Sequence, residues 1–131
     1  MIIVKSREEI ELMRESALIV SKTLGMIASE IKEGVTTLYL DKLAETFIRD
    51  HGAEPSFLGL YDFPNSLCMS PNAQVVHGIP NNKPLESGDV ISVDCGAYKN
   101  GYHGDHAYSF EIGEVAPETR KLLQITKESL Y

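Results

Sequence analysis

Val93-Asp94-Cys95-Gly96-Ala97-Tyr98-Lys99-Asn100-Gly101-Tyr102-His103-Gly104-Asp105 is the stretch on which the fold turns. Asn-Gly between two apolar-rich runs is a strong hairpin signal, because a type I′ turn needs positive φ at both central residues. A strand over residues 90–98 is therefore expected to turn at Asn100-Gly101 and return antiparallel over residues 102–112. A two-residue turn sets the register: Lys99 faces Tyr102 and Gly96 faces Asp105. Side chains alternate faces along a strand, so Asp94 shares a face with Gly96 and stands diagonal to Asp105. Diagonal neighbours lie about 7–8 Å apart at the backbone and closer at the side chains. Two carboxylates can then converge on one or two cations, provided that no bulge flips the parity. Like charges that close repel and raise a pKa unless a counter-charge lies between them, and a divalent metal supplies one. Ile91, Val93, Phe110 and Ile112 give the pair apolar neighbours. Spacing alone leaves two readings open, a metal cradle or two aspartates pointing into water.

Other polar groups near this hairpin have an ordinary reading beside a functional one. His103 shares the face of Asp105 and is either a third ligand or a hydrogen-bonded histidine, whereas His106 faces the other way. His77, in Gln74-Val75-Val76-His77-Gly78-Ile79-Pro80, is a structural histidine or part of a pocket wall. His51, near a helix end, complements the negative pole of the helix dipole. Cys95 faces away from Asp94 and reads as core filling, and Cys68 reads as packing in a short strand. Phe57, Leu60, Tyr61 and Phe63 either cover the helices or wall an apolar pocket.

Upstream of the hairpin the pattern is helical. Ser6 and Glu9 form a capping-box pair, and Ile10, Met13, Ala17, Val20, Leu24, Ile27 and Ile31 recur at helical spacing. Gly34 is placed to end that helix. Thr36 or Thr37 caps a second one, with Leu40, Leu43, Ala44, Phe47 and Ile48 on one face and Gly52 and Pro55 after it. Residues 57–64 read as an irregular loop, followed by short strands at 66–70 and 74–78 and a turn at 85–89. A third helix starts at Pro117 and is expected to run to Tyr131 without a stop signal, as a helix that has been cut would. Helices followed by antiparallel strands define an α+β class.

The 131 residues suit one domain, 43% hydrophobic and 24% charged. A formal charge of −7 without basic clusters disfavours duplex nucleic acid as a partner. Met1 to Val4 is too short an apolar run for a signal peptide or a membrane span. Two cysteines without CxxC spacing suit a cytoplasmic protein with reduced thiols.

The ordered set of a capped first helix, Phe57-Leu58-Gly59, Phe63-Pro64-Asn65-Ser66, Val75-Val76-His77-Gly78-Ile79-Pro80, Gly88-Asp89-Val90 and His103-Gly104-Asp105 resembles the type I methionine aminopeptidases. The likeness covers essentially the whole chain. It implies the N-terminal half of the pita-bread (creatinase/aminopeptidase-like) fold, with helices packed on an antiparallel sheet and residues 1–131 forming one truncated domain. It also implies metal-dependent removal of the initiator methionine from nascent polypeptides. By that resemblance Asp94 and Asp105 match two metal-binding aspartates, and His77 matches the histidine that contacts the substrate near the scissile amide. Phe57, Leu60, Phe63 and Cys68 fall on the loop and strand lining the methionine pocket, with Leu60 where tyrosine is common. The implied cofactors are two divalent ions, drawn from cobalt, manganese, iron and zinc. The family completes its site with a histidine and two glutamates from a second half. The chain alone is therefore expected to bind metal weakly, to show little peptidase activity and to self-associate through exposed apolar sheet surface. A proline-specific peptidase of the same fold and a non-catalytic binding module are the alternatives.

Overall fold

The Ser6 hydroxyl accepts from the Glu9 N–H at 3.2 Å, and the Glu9 carboxylate accepts from the Ser6 N–H at 2.7 Å. This reciprocal cap starts helix α1, Arg7–Glu30, in a computed structural model that describes residues 1–131. Thr36 caps helix α2, Thr37–Asp50, through its side chain. There follow strand β1 (Glu54–Pro55), a 3-10 turn (Leu60–Asp62) and strands β2 (Leu67–Pro71), β3 (Val90–Lys99) and β4 (Tyr102–Glu111). Helix α3, Pro117–Glu128, comes last.

β3 is the spine of an antiparallel sheet. β1 and β2 pair with it in succession and β4 pairs with it over its whole length. Asn100 and Gly101 have φ of 52° and 84°, as the expected turn requires. The register runs unbroken from Lys99↔Tyr102 through Gly96↔Asp105 to Val90↔Glu111, so no bulge disturbs the parity. Ile91, Val93, Cys95 and Ala97 point to one face and are buried with Val20, Leu24 and Ile27 of α1 and Leu40, Ala44 and Ile48 of α2. Each large aliphatic side chain in that layer contributes about 1.5–3 kcal/mol by leaving water. Ser92, Asp94, Gly96 and Tyr98 consequently face away from the helices. The core under one face rigidifies the strand that carries chemistry on the other.

The apolar stripe of α1 is rotated from the one the spacing predicts. Ile10 is exposed and Met13 only half-buried, while Ser16, Ile19 and Thr23 are buried. The cause is the crossing of α1 over the hairpin. A Cβ on Gly104 would stand 2.6 Å from the Ala17 nitrogen, and Ser16 Oγ donates to the Tyr102 carbonyl at 2.8 Å. Small residues let the backbones approach there, and a hydroxyl satisfies the turn carbonyl.

Three expected boundaries also shift. α1 stops at Glu30 because Ile31 adopts an extended backbone, so Gly34 (φ 87°) shapes the following turn instead. Residues 74–78 do not form a strand: Val75 and Val76 are exposed, and Asn72 and His77 take left-handed φ values of 53° and 60°. Helix α3 ends at Glu128 and buries no side chain. No helix is long and apolar enough to cross a membrane.

Candidate metal centre

Asp94 lies at the middle of β3, directly opposite Cys68 on β2 and Ala107 on β4. Asp105, opposite Gly96, is its diagonal neighbour on the same face, as the turn register requires. The two carboxyls meet. Burial pushes Asp94 up to about 6, and the charge of Asp105 and a hydrogen bond with it act in the same direction. The charge of His77 opposes them, as the smallest of the four influences. Asp94 Oδ1 is buried and has no hydrogen-bond partner. A buried acceptor left unpaired costs about 1–3 kcal/mol, and more when it is charged. A hard divalent cation held by Asp94 and Asp105 would satisfy that oxygen and remove the repulsion, so the residues fit a metal ion. No third His, Cys, Asp or Glu joins them in a metal-holding group.

The backbone next to His77 is held against β2. The Gly78 N–H donates to Ser70 Oγ at 3.0 Å, and the Gly78 carbonyl accepts from the Met69 N–H at 2.9 Å. A Cβ on Gly78 would overlap the Met69 carbonyl, so only glycine lies this close to β2. His77 itself sits at φ 60°, a conformation that costs an L-residue about 1–2 kcal/mol. Strain of this kind concentrates at functional positions.

Cys68 is buried, as packing in a short strand requires. Burial pushes its thiol up to about 11, with the charges of Asp94, Asp105 and Asp41 adding to the effect. It therefore faces the carboxylates as a neutral, polarizable group. Cys95 lies in the core, as expected, and burial pushes it up to about 12. Phe57 also reaches the acidic face: its Cε1 atom lies 2.8 Å from where a Gly96 Cβ would be. Phe63 is half-buried, whereas Leu60 is 52% exposed. His103 does not gather with the aspartates. Its Nδ1 lies 2.9 Å from Ser56 Oγ, and its ring packs on Tyr98 at a centroid distance of 4.5 Å. His51 Nδ1 lies 2.7 Å from the Phe47 carbonyl at the end of α2, in keeping with its expected place at the dipole.

One residue that sequence reasoning passed over is Asp41. It is 3% exposed on the inner face of α2 and accepts from Asn65 Nδ2, Ser66 N and Leu67 N at 2.9, 2.9 and 2.8 Å. It thereby pins the start of β2, one residue before Cys68. The only signal in the sequence is an aspartate one residue past Leu40 and three before Ala44, inside an apolar helix face.

Two helices on an antiparallel sheet, with an acidic pair on the sheet's far face, make the α+β arrangement of the pita-bread peptidases. The methionine aminopeptidase of Rickettsia prowazekii superposes with a TM-score of 0.95 at 36% identity, over 98% of this chain and 52% of that one. The prolidase of Pyrococcus furiosus superposes with a TM-score of 0.84 at 26% identity, over 96% of this chain and 36% of that one. The chain belongs to metallopeptidase family M24, whose profile matches residues 11–131. It is 48% identical to the methionine aminopeptidase of Clostridium perfringens and 47% identical to methionine aminopeptidase 1 of Bacillus subtilis. Both alignments cover 100% of the chain and 53% of the relative, so the chain spans about half the length of these curated relatives.

Proposed function

We propose that the chain supplies the N-terminal part of a methionine aminopeptidase site that removes the initiator methionine from nascent polypeptides. The observation that carries this is the Asp94–Asp105 pair, in which a buried Asp94 oxygen has no hydrogen-bond partner, in a chain of a metallopeptidase family. Asp94 and Asp105 are the metal ligands. Two divalent ions, of cobalt, manganese, iron or zinc, supply when bound a water of lowered pKa and a Lewis acid for the substrate carbonyl. The chain's own residues do the rest. His77, next to the Gly78 clamp, hydrogen-bonds the substrate near the scissile amide. Phe57, Phe63, Cys68 and Leu60 line an apolar slot suited to an unbranched thioether.

Greater likeness to methionine aminopeptidases than to the prolidase favours this reading over a proline-specific peptidase. Absence of a third ligand group beside the aspartates supports weak metal binding and little activity for these 131 residues alone. The acidic balance, −7, supports a polypeptide rather than a nucleic-acid partner, and two free cysteines support a cytoplasmic setting. The unpaired edge of β4 and the exposed Leu122 and Ile125 of α3 support self-association of the chain on its own.

Metal analysis after dialysis against manganese, compared among the parent, Asp94→Ala and Asp105→Ala, tests the centre. Loss of bound metal in both variants is expected, and equal content in all three would refute the assignment. Methionine release from a Met-Ala-Ser peptide by the complete protein tests the reaction. Failure to release it while metal is retained would leave a binding module.

A further inference from the structure

We infer that Gly96 is a specificity-determining residue: the space left by its missing side chain seats the Phe57 ring beside Asp94 and Asp105, and the two together set the width of the slot. This rests on the methionine-selective reading above and extends it to a residue outside the slot's own lining.

Glycine inside a regular strand weakens it, so its presence there needs a reason. The reason is not the turn-like backbone that glycine alone tolerates. Gly96 is absent from the positive-φ glycines and pairs in register with Asp105. The reason is space. A Cβ built on Gly96 would stand 2.8 Å from Phe57 Cε1, 3.1 Å from Phe57 Cζ and 2.8 Å from Ser56 Cβ. On the same face Gly96 is flanked by Asp94 and Tyr98 along β3 and by Asp105 across the ladder. The edge of the ring therefore lies against the sheet at Gly96, on the face that carries Asp94 and Asp105.

Phe57 has little freedom to retreat. The Ser56 N–H donates to the Gly96 carbonyl at 3.0 Å, and Ser56 Oγ lies 2.9 Å from His103 Nδ1. On the other side the Phe57 carbonyl accepts from the Leu60 N–H at 3.0 Å. With its backbone held at both ends, a ring displaced by a new methyl group must tip off the sheet, into the space a substrate side chain would use. Adding bulk at position 96 should thus narrow the slot although residue 96 never touches the substrate. Removing the ring should widen it.

The test is the selectivity of the complete, manganese-loaded protein for Met-Ala-Ser over norvaline-Ala-Ser, which has a shorter and slimmer side chain. One methylene in an apolar pocket is worth about 10–200-fold, so the ratio of kcat/KM values can resolve a change of this size. Gly96→Ala is expected to lower the methionine-to-norvaline ratio by about tenfold or more. Adding Phe57→Ala to it should return the ratio toward the methionine side. Phe57→Ala alone, which adds no bulk, should raise acceptance of the wider Phe-Ala-Ser by about tenfold. Binding of free methionine and norvaline, followed by calorimetry, reads the same preference without turnover. If both substrates lose rate in parallel in Gly96→Ala and Phe57→Ala leaves the preferences unchanged, the seat is merely structural and the inference is overturned. A parent that is active but indifferent to the side chain removes the methionine-selective reading, and this inference with it.

Discussion

Asp94 carries a conflict that a bound cation would resolve. Its carboxyl is held from its ordinary 3.8 up to about 6, first by burial and then by Asp105, and its Oδ1 has no partner. At neutral pH the residue is charged at a cost to the fold. Asp94→Asn removes the charge and offers an N–H to Asp105, so the metal-free variant should be more stable than the parent. Because the carboxyl is partly solvated, the gain should be on the order of 1 kcal/mol rather than the full equivalent of the shift. The sign with pH follows from linkage. A carboxyl with a raised folded-state pKa destabilises nothing below 3.8, and its cost grows until about 6 and is then constant. The stability gap between variant and parent should therefore open across that window. Manganese should raise the parent's Tm at pH 7.5 and leave the variant's nearly unmoved. Thermal melts in EDTA and in manganese decide the matter, and a variant less stable than the parent in EDTA would sink the argument. This pairing of carboxyls was legible because a two-residue Asn-Gly turn dictates parity along the strands that leave it. The placement of His77 was not. Its left-handed backbone depends on a glycine pressed against β2, a tertiary contact that a run of Val-Val-His does not announce.

At the scale of elements, the site depends on how α2 holds the start of β2. The Asp41 carboxylate accepts from two backbone N–H groups and one side-chain amide, all from residues 65–67. Asp41→Ala leaves those donors buried and unpaired, which should cost about 2–4 kcal/mol in chemical denaturation. Asp41→Asn keeps an oxygen for the backbone donors, and should cost less than half as much. Equal losses in the two variants would mean that the negative charge, rather than the hydrogen bonds, does the holding. Because β2 sets Cys68 opposite Asp94, the alanine variant should also bind manganese more weakly than the asparagine variant. The helices and the hairpin could be read from periodicity, caps and turn residues. What escaped that reading were contacts between elements: Asp41 with the loop, Gly104 beneath α1, and Gly96 beneath Phe57. An aspartate in an apolar helix face and a glycine in a strand look like local defects until the partner that fills them is known. The rotated stripe of α1 has the same origin, since Ser16 is buried by its bond to the turn carbonyl rather than by its hydropathy.

At the scale of the whole molecule, one side is finished and another is open. The core between the helices and the sheet is closed, but β4 bonds to β3 only, so every second residue along the strand presents an unpaired N–H and C=O at the outer edge. Such an edge is a template for pairing with another chain. Beside it α3 exposes Leu122 and Ile125 and buries nothing, and Lys127 lies 5.9 Å over the Tyr108 ring as its one aromatic contact with β4. An amphipathic helix that buries no side chain adds almost nothing to the stability of its own chain, yet it offers apolar surface to a second copy. These features make a separable prediction. Replacing Leu122 and Ile125 with glutamate should leave the thermal midpoint of the dilute chain within the small range typical of surface substitutions, about 0.5 kcal/mol. The same change should shift sedimentation velocity profiles at high concentration from dimer toward monomer. If the charged variant still dimerises as the parent does, the edge of β4 alone drives association. If the parent sediments as a monomer throughout, the open side is tolerated without self-association, and the fold is stable on the strength of its closed side.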